Sequence, residues 1–159
     1  MNLDHMKPQN TTDCIWTMVC GKRILLPLQR LGQILKCAWQ GLDIDDIEVN
    51  RTQRDEVSHK FISDDLIDMR KLTSTNLRPQ ARLLNRVLVR TINPRKGSYE
   101  KLYKRDFQAL YAIYSQKQIN WAKIIMDEWL DITYKRKYKT LHYGVYITRI
   151  LTAAEIQIP

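Results

Sequence analysis

Apolar residues recur at helical spacing along most of this chain, and a strand-like composition occurs only near its start. Spacings of three and four residues place side chains on one face of an α-helix, which has 3.6 residues per turn. The stretch from Cys14 to Cys20 is instead short and rich in β-branched and aromatic residues, and Gly21 and Lys22 can fold it back as a hairpin. The pattern predicts a mainly α fold, a single compact helical domain of about five to six helices over residues 13–159, with a small N-terminal β-hairpin behind a flexible N-terminus at residues 1–12.

The first half of the chain holds two predicted helices and an acidic segment between them. Apolar residues recur at helical spacing from Leu28 to Ala38, and Gly41 offers a left-handed stop. Residues 43–56 lack a sustained apolar period, which predicts an irregular connection. A second, short helix should begin at Ser63, whose hydroxyl can cap free amides, and end near Lys71.

The stretch from Arg78 to Gly97 carries the most distinctive pattern. In a helix, four arginines lie one turn apart and an apolar set lies opposite them: Arg78, Arg82, Arg86 and Arg90 against Leu84, Val87, Leu88 and Thr91. Such a helix rests on a core and presents a row of guanidinium groups to solvent. Pro94 should end it near Ile92. The row is either an ordinary solvated face or a phosphate-binding stripe.

Three further helices are predicted in the second half of the chain. One runs from Lys104 to about Gln116, the next is capped by Asn120, and the last follows a break at Gly144. Their apolar faces are, in order, Phe107, Leu110, Tyr111 and Tyr114; Trp121, Ile124, Ile125, Trp129 and Ile132; and Ile147, Ile150, Leu151 and Ala154. Trp121, Ile125 and Trp129 are the expected core of the strongest of these helices.

Charge is divided unevenly between the two halves. The net charge is +9 and the isoelectric point is near 9.6, which makes the chain attractive to polyanions. Residues 38–68 hold nine acidic and three basic residues, or −6, whereas residues 78–149 hold sixteen basic and five acidic residues, or +11. A nucleic acid or an acidic protein surface is the partner class that this balance favours.

The candidate catalytic groups have ordinary explanations. Three cysteines without C-x-x-C spacing predict reduced thiols in an intracellular protein, and neither a disulfide framework nor a zinc site. Two carboxylate groups could hold magnesium, namely Asp127, Glu128 and Asp131, and Asp64, Asp65 and Asp68. The first group lies on a polar helix face, where Lys123 can pair with Asp127, and the second suits a helix start. We therefore expect no metal and no cofactor.

Tyrosines alternate with cations near the start of the Lys104 helix. The set comprises Tyr99, Tyr103, Tyr111 and Tyr114 with Lys101, Lys104 and Arg105. Such residues can stack on bases and hold phosphates, although tyrosines of this kind are more often core residues with hydrated hydroxyls. The second interpretation is the one that the pattern favours.

The ordered motifs of the chain resemble a known family. Asn93-Pro94-Arg95-x-Gly97 follows the arginine helix, Gln118-Ile119-Asn120 opens the next apolar helix, and Leu141-His142-Tyr143-Gly144 precedes Ile147-Thr148-Arg149-Ile150. This order is similar to that of the plant transposon protein domain, a transposable-element-derived, transposase-like family of plants. The resemblance covers about residues 14–156, and the order and spacing of the motifs carry it. His142 departs from the family, which commonly has proline before Tyr-Gly.

The resemblance implies a domain derived from a transposable element, and it supplies no catalytic residues to carry over. Together with the charge it predicts a non-catalytic domain that binds DNA or RNA non-specifically. The residues expected to do so are Arg78, Arg82, Arg86, Arg90, Arg95, Lys96, Lys135, Arg136, Lys137 and Lys139. The alternatives are a self-associating interaction or assembly module of a retroelement protein, and a transposase or nuclease fragment.

A location and a set of partners follow from the same expectations. The start of the chain has no apolar core behind a basic region, and its longest aliphatic run is interrupted by Pro27. These features predict no secretory signal and no transmembrane helix. We expect an intracellular, nuclear protein without a membrane or small-molecule partner.

Overall fold

A computed structural model describes residues 14–49, 51–63, 72–94, 98–134 and 144–156, without the side chains of residues 51–55 and 132–134. In these ranges a β-hairpin is followed by six α-helices: β1 Cys14–Val19, β2 Lys22–Pro27, α1 Leu28–Leu35, α2 Arg51–Phe61, α3 Pro79–Thr91, α4 Lys104–Tyr114, α5 Trp121–Tyr134 and α6 Gly144–Ala153. A 3-10 turn at Ser74–Asn76 precedes α3. The predicted mainly α class and the N-terminal hairpin are confirmed, while the predicted flexible segment 1–12 lies outside the described residues.

The hairpin turn consists of Cys20 and Gly21. Their φ angles are 49° and 75°, and two successive positive φ angles are typical of the tight turns that match the twist of paired strands. Trp16 faces Leu25 across the two strands, and Ile15 faces Leu26. Because neighbouring residues of a strand point to opposite sides, Leu26 is buried while Trp16 and Leu25 remain exposed.

Two hydrophobic clusters form the core. The first includes Phe61, Leu77, Ala81, Leu88, Leu110, Tyr111, Ile119 and Ile124 and lies among α2, α3 and α4. The second includes Ile24, Leu26, Leu31, Leu35, Ile125, Met126 and Ile150 and joins the hairpin to α1, α5 and α6. Because Ile124 and Ile125 are adjacent in α5 but belong to different clusters, α5 connects the two halves of the core.

The cap and the burial of α5 were predicted with different success. The side chain of Asn120 accepts a hydrogen bond from the Lys123 amide at 3.0 Å, which confirms the predicted cap. Ile125 is buried as expected. Trp121 and Trp129 are only partly buried, so the prediction that both indoles lie in the core is wrong. Trp121 packs at the edge of the first cluster and Trp129 at the edge of the second.

The first predicted helix ends earlier than its apolar pattern suggests. Lys36, with φ of 57°, terminates α1, and its amide donates to the carbonyl oxygens of the preceding turn. Gly41 is therefore not the stop. It lies against the Gln118 backbone, where a Cβ atom at position 41 would be 2.5 Å from the carbonyl oxygen. This close approach permits the bridge between Leu42 and Ile119.

The acidic segment was predicted incorrectly as irregular throughout. Residues 51–56 belong to α2, whose C-terminal Phe61 is fully buried in the first cluster. Few apolar residues precede Phe61 in this helix, so periodicity alone does not reveal it. Ser63 donates its hydroxyl to the Asn76 carbonyl at 2.8 Å, and the helix predicted from Ser63 to Lys71 lies outside the described residues beyond Ser63.

Candidate nucleic-acid interface

The arginine helix packs on the core with a different face from the predicted one. Its buried residues are Ala81, Asn85, Leu88 and Val89. Val87, which was assigned to the apolar side, has 49% of its surface exposed, and Thr91 is exposed as well. The buried stripe includes a polar residue, Asn85. A prediction from hydropathy assigns asparagine to the solvent side, and it therefore misplaces the core face.

Two of the four arginines bind the chain's own backbone. Arg78 precedes the helix as its N-cap residue, and its Nε donates to the Ile62 carbonyl at 3.2 Å. The guanidinium group of Arg82 donates to three carbonyl oxygens, those of Ser74 at 3.0 Å, Thr75 at 2.8 Å and Leu77 at 3.1 Å. All four arginines are exposed, as predicted, but Arg78 and Arg82 also hold backbone carbonyl groups. Arg86 and Arg90 are the members of the row that form no such hydrogen bond with the described residues.

Arg82 fastens the 3-10 turn at Ser74–Asn76 to α3. A hydrogen bond from a charged group contributes about 1.5–3 kcal/mol, and less where the site is partly exposed, as it is here. We therefore expect Arg82→Ala to lower the free energy of unfolding by about 1–2 kcal/mol. Arg86→Ala is the matched control, one turn further along the exposed side of the helix, and should change stability by less than about 0.5 kcal/mol. Urea unfolding of both variants measures the difference. Equal losses would contradict a structural role for Arg82.

The C-terminal half of the arginine row contacts an aromatic side chain from the following segment. The guanidinium carbon of Arg90 lies 5.8 Å from the ring centroid of Tyr99, within range of a cation–π interaction. Tyr99 is 45% exposed. Arg86 lies one helical turn before Arg90 and is also exposed, and its side chain forms no hydrogen bond or ion pair with the described residues.

A second exposed pair follows two residues later. The Nζ of Lys101 lies 5.4 Å from the ring centroid of Tyr103, which is 46% exposed. The segment is held beside the 3-10 turn, because the Ser74 amide donates to the Glu100 carbonyl and the Leu102 amide donates to the Leu72 carbonyl at 3.1 Å. We call Arg86, Arg90, Tyr99, Lys101 and Tyr103 the basic aromatic surface.

The predicted aromatic set divides into exposed and core residues. Tyr111 is 3% exposed, and Tyr114 packs on the first cluster with its ring centroid 5.3 Å from that of Phe61. The core interpretation is correct for these two tyrosines and wrong for Tyr99 and Tyr103. The available signal was position: Tyr99 and Tyr103 precede the first residue of α4 and lie outside its periodic face.

The third cation of the predicted set, Arg105, forms ion pairs with acidic residues of the same chain. Arg105 binds the Asp45 carboxylate through two nitrogens and contacts Glu128 at 3.3 Å. The hydrogen bond from Arg105 holds the pKa of Asp45 below its usual value, and the same bond raises the pKa of Arg105. Part of the acidic segment therefore pairs with the basic half of the same chain.

The remaining predicted binding residues, Arg95, Lys96, Lys135, Arg136, Lys137 and Lys139, lie outside the described residues. The predicted pair of Lys123 and Asp127 is present at 2.6 Å. In the described ranges, no three His, Cys, Asp or Glu residues are grouped so that they could hold a metal ion, and Asp64, Asp65 and Asp68 fall outside those ranges. None of the described helices is long and apolar enough to cross a membrane.

Comparisons with protein-family models, with curated proteins and with solved structures found no match to this chain. The resemblance to the plant transposon protein domain therefore stays a prediction.

Proposed function

We propose that this chain is a non-catalytic domain that binds single-stranded DNA or RNA without sequence preference through the basic aromatic surface. The observation that carries the proposal is the exposure of Tyr99 and Tyr103, each with a cation near its ring. Single-stranded nucleic acids bind to proteins by stacking bases on such rings while cations hold the phosphates.

The geometry of α3 suits contacts with phosphates. Arg86 and Arg90 are separated by four residues of helix, a rise of about 6 Å, which is close to the distance between successive phosphates of one strand. Tyr99 lies beside Arg90, so a base stacked on its ring would have its own phosphate near a guanidinium group. Because α3 keeps Leu88 and Val89 on the core, its opposite face, with Arg86 and Arg90, is the one that meets a nucleic acid.

The long-range charge supports the same function. Residues 78–149 carry sixteen basic and five acidic residues, which attracts a polyanion to this half of the chain. The resemblance of the ordered motifs to the plant transposon protein domain supports a source in a transposable element. Under this proposal the domain contributes nucleic-acid binding to an element-derived protein, and another protein performs any strand cleavage.

A labelled oligonucleotide of twenty thymidines tests the proposal by fluorescence anisotropy across a series of salt concentrations. Replacing Tyr99 and Tyr103 together by alanine should weaken binding about thirtyfold or more, because stacking contributes about 1–3 kcal/mol per base and two rings are removed. It should leave the slope of log affinity against log salt unchanged. Replacing Arg86 and Arg90 by alanine should make that slope shallower by about 1.4, since each phosphate contact on a single strand contributes about 0.7.

Arg149→Ala is the matched control, because Arg149 is an exposed cation on α6 and does not belong to the basic aromatic surface. Its affinity and salt slope should equal those of the native chain. Binding that is absent at about 50 mM salt, or that is unchanged in the tyrosine variant, would overturn the proposal.

A further inference from the structure

The outer side of the hairpin exposes a group of large apolar side chains. Met18 is 60% exposed, Leu25 is 45% exposed and Trp16 is 36% exposed. Trp16 faces Leu25, and Met18 faces Arg23, so the four residues form one continuous face of the two strands. A contiguous apolar patch of this kind on a soluble domain marks an interaction site more often than single exposed apolar residues do.

Cations border this apolar face. The guanidinium carbon of Arg23 lies 5.3 Å from the ring centroid of Trp16. Beside the face is a groove of about 270 Å³ between the hairpin and the end of α6, and its lining includes Lys22, Arg23, Arg30 and Glu155. Lys22 donates to the Ala154 carbonyl at 2.5 Å, which holds the groove's two walls together. The groove therefore combines three cations with one carboxylate.

We propose that the outer face of the hairpin and the adjoining groove bind an acidic, amphipathic segment of a protein partner. Two large apolar side chains of the segment would pack on Met18 and Leu25, and its carboxylates would meet Arg23 and Arg30 at the groove. Charge complementarity selects the acidic class, because the groove has a net positive lining. This site is separate from the basic aromatic surface and adds a protein partner to the proposed nucleic-acid function.

A protein fits this face better than a nucleic acid does. Two of its three large apolar side chains, Met18 and Leu25, are aliphatic and offer no ring for base stacking. A second copy of the chain fits less well. Among the large apolar residues of its own segment 42–47, Leu42 is exposed, whereas Ile44 and Ile47 are 3% and 4% exposed and belong to the core. Residues 42–47 therefore offer one exposed large apolar side chain and not the two that the face would bind.

Selection from a displayed library of random sixteen-residue peptides on the full chain tests the inference. We expect the enriched peptides to combine excess aspartate and glutamate with two large apolar residues. A synthetic copy of the most enriched peptide should bind the Met18→Ser/Leu25→Ser variant at least tenfold more weakly than the native chain. Arg23→Gln/Arg30→Gln should weaken binding and reduce its dependence on salt.

Leu83→Ser/Val87→Ser is the matched control, because it removes two aliphatic side chains that are 65% and 49% exposed on α3. Peptide affinity should be unchanged in this control, and thermal unfolding should confirm that all three double variants are folded. Three results would each refute the inference: enriched peptides without excess acid, equal affinity for the Met18/Leu25 variant, or displacement of the peptide by the thymidine oligonucleotide. A dimer of the native chain that the Met18/Leu25 variant abolishes would also refute it, in favour of a second copy.

Discussion

Phe61→Ala is expected to lower the free energy of unfolding by about 3–5 kcal/mol, the usual range for removing a buried phenylalanine ring. Phe61 is fully buried at the end of α2. Its ring centroid lies 5.4 Å from that of Phe107 and 5.3 Å from that of Tyr114, both on α4. The substitution therefore removes the side chain that joins α2 to α4, and urea unfolding measures the loss.

Leu83→Ala provides the control for this variant, since Leu83 is 65% exposed and its loss opens no cavity. It should change the free energy of unfolding by less than about 0.5 kcal/mol. If Phe61→Ala lowers the free energy of unfolding by less than about 1 kcal/mol, the Phe61 ring is not buried in the first hydrophobic cluster.

Gly41→Ala is expected to cost about 3 kcal/mol, through two effects that act at the same position. The φ angle of Gly41 is 125°, a conformation that a residue with a Cβ atom adopts only with strain. In addition, the new Cβ would lie 2.5 Å from the carbonyl oxygen of Gln118, so the backbone would have to separate. The bridge between Leu42 and Ile119, which precedes α5, would open.

Gly21→Ala separates the two effects. Gly21 also has a positive φ, 75°, but no atom lies within 4 Å of the position where its Cβ would be built. Only the conformational strain applies there, and we expect a loss of about 1 kcal/mol. Thermal or urea unfolding that gives the same loss for both alanine variants would show that the approach of Gly41 to Gln118 is not tight.

The two glycine variants also test how the two hydrophobic clusters are connected. Gly41 brings the segment after α1 against the start of α5, and α5 contributes Ile124 to one hydrophobic cluster and Ile125 to the other. Loss of this contact should loosen the junction between the clusters. Gly21, at the tip of the hairpin, is not part of this junction.

Local patterns were sufficient for the helices whose apolar residues are both periodic and numerous. The predicted start of α4 at Lys104 and the Asn120 cap of α5 agree with the structure, because a side-chain cap and a helical period are properties of neighbouring residues. The hairpin was predictable for the same reason, since Gly21 and the β-branched residues around it form a local signal.

Long-range contacts decided the features that were predicted incorrectly. α2 contains few apolar residues before Phe61, and it packs on the core through contacts with α4 that no local period encodes. Gly41 is a residue type that commonly ends helices, but here it permits close approach to the backbone of Gln118. Gln118 is seventy-seven residues further along the chain. Both cases depend on which segments meet in space.

The candidate site shows the same division between sequence and tertiary structure. The sequence by itself determined where the arginines recur, which half of the chain is basic and which tyrosines lie near cations. Tertiary structure decided which of these groups bind the chain itself, because carbonyl oxygens of the 3-10 turn accept hydrogen bonds from Arg82 and the Asp45 carboxylate accepts them from Arg105. Whether a charged side chain binds its own chain depends on where its acceptors lie in space. The acceptors of Arg82 are five to eight residues away in the chain, whereas Asp45 is sixty residues from Arg105.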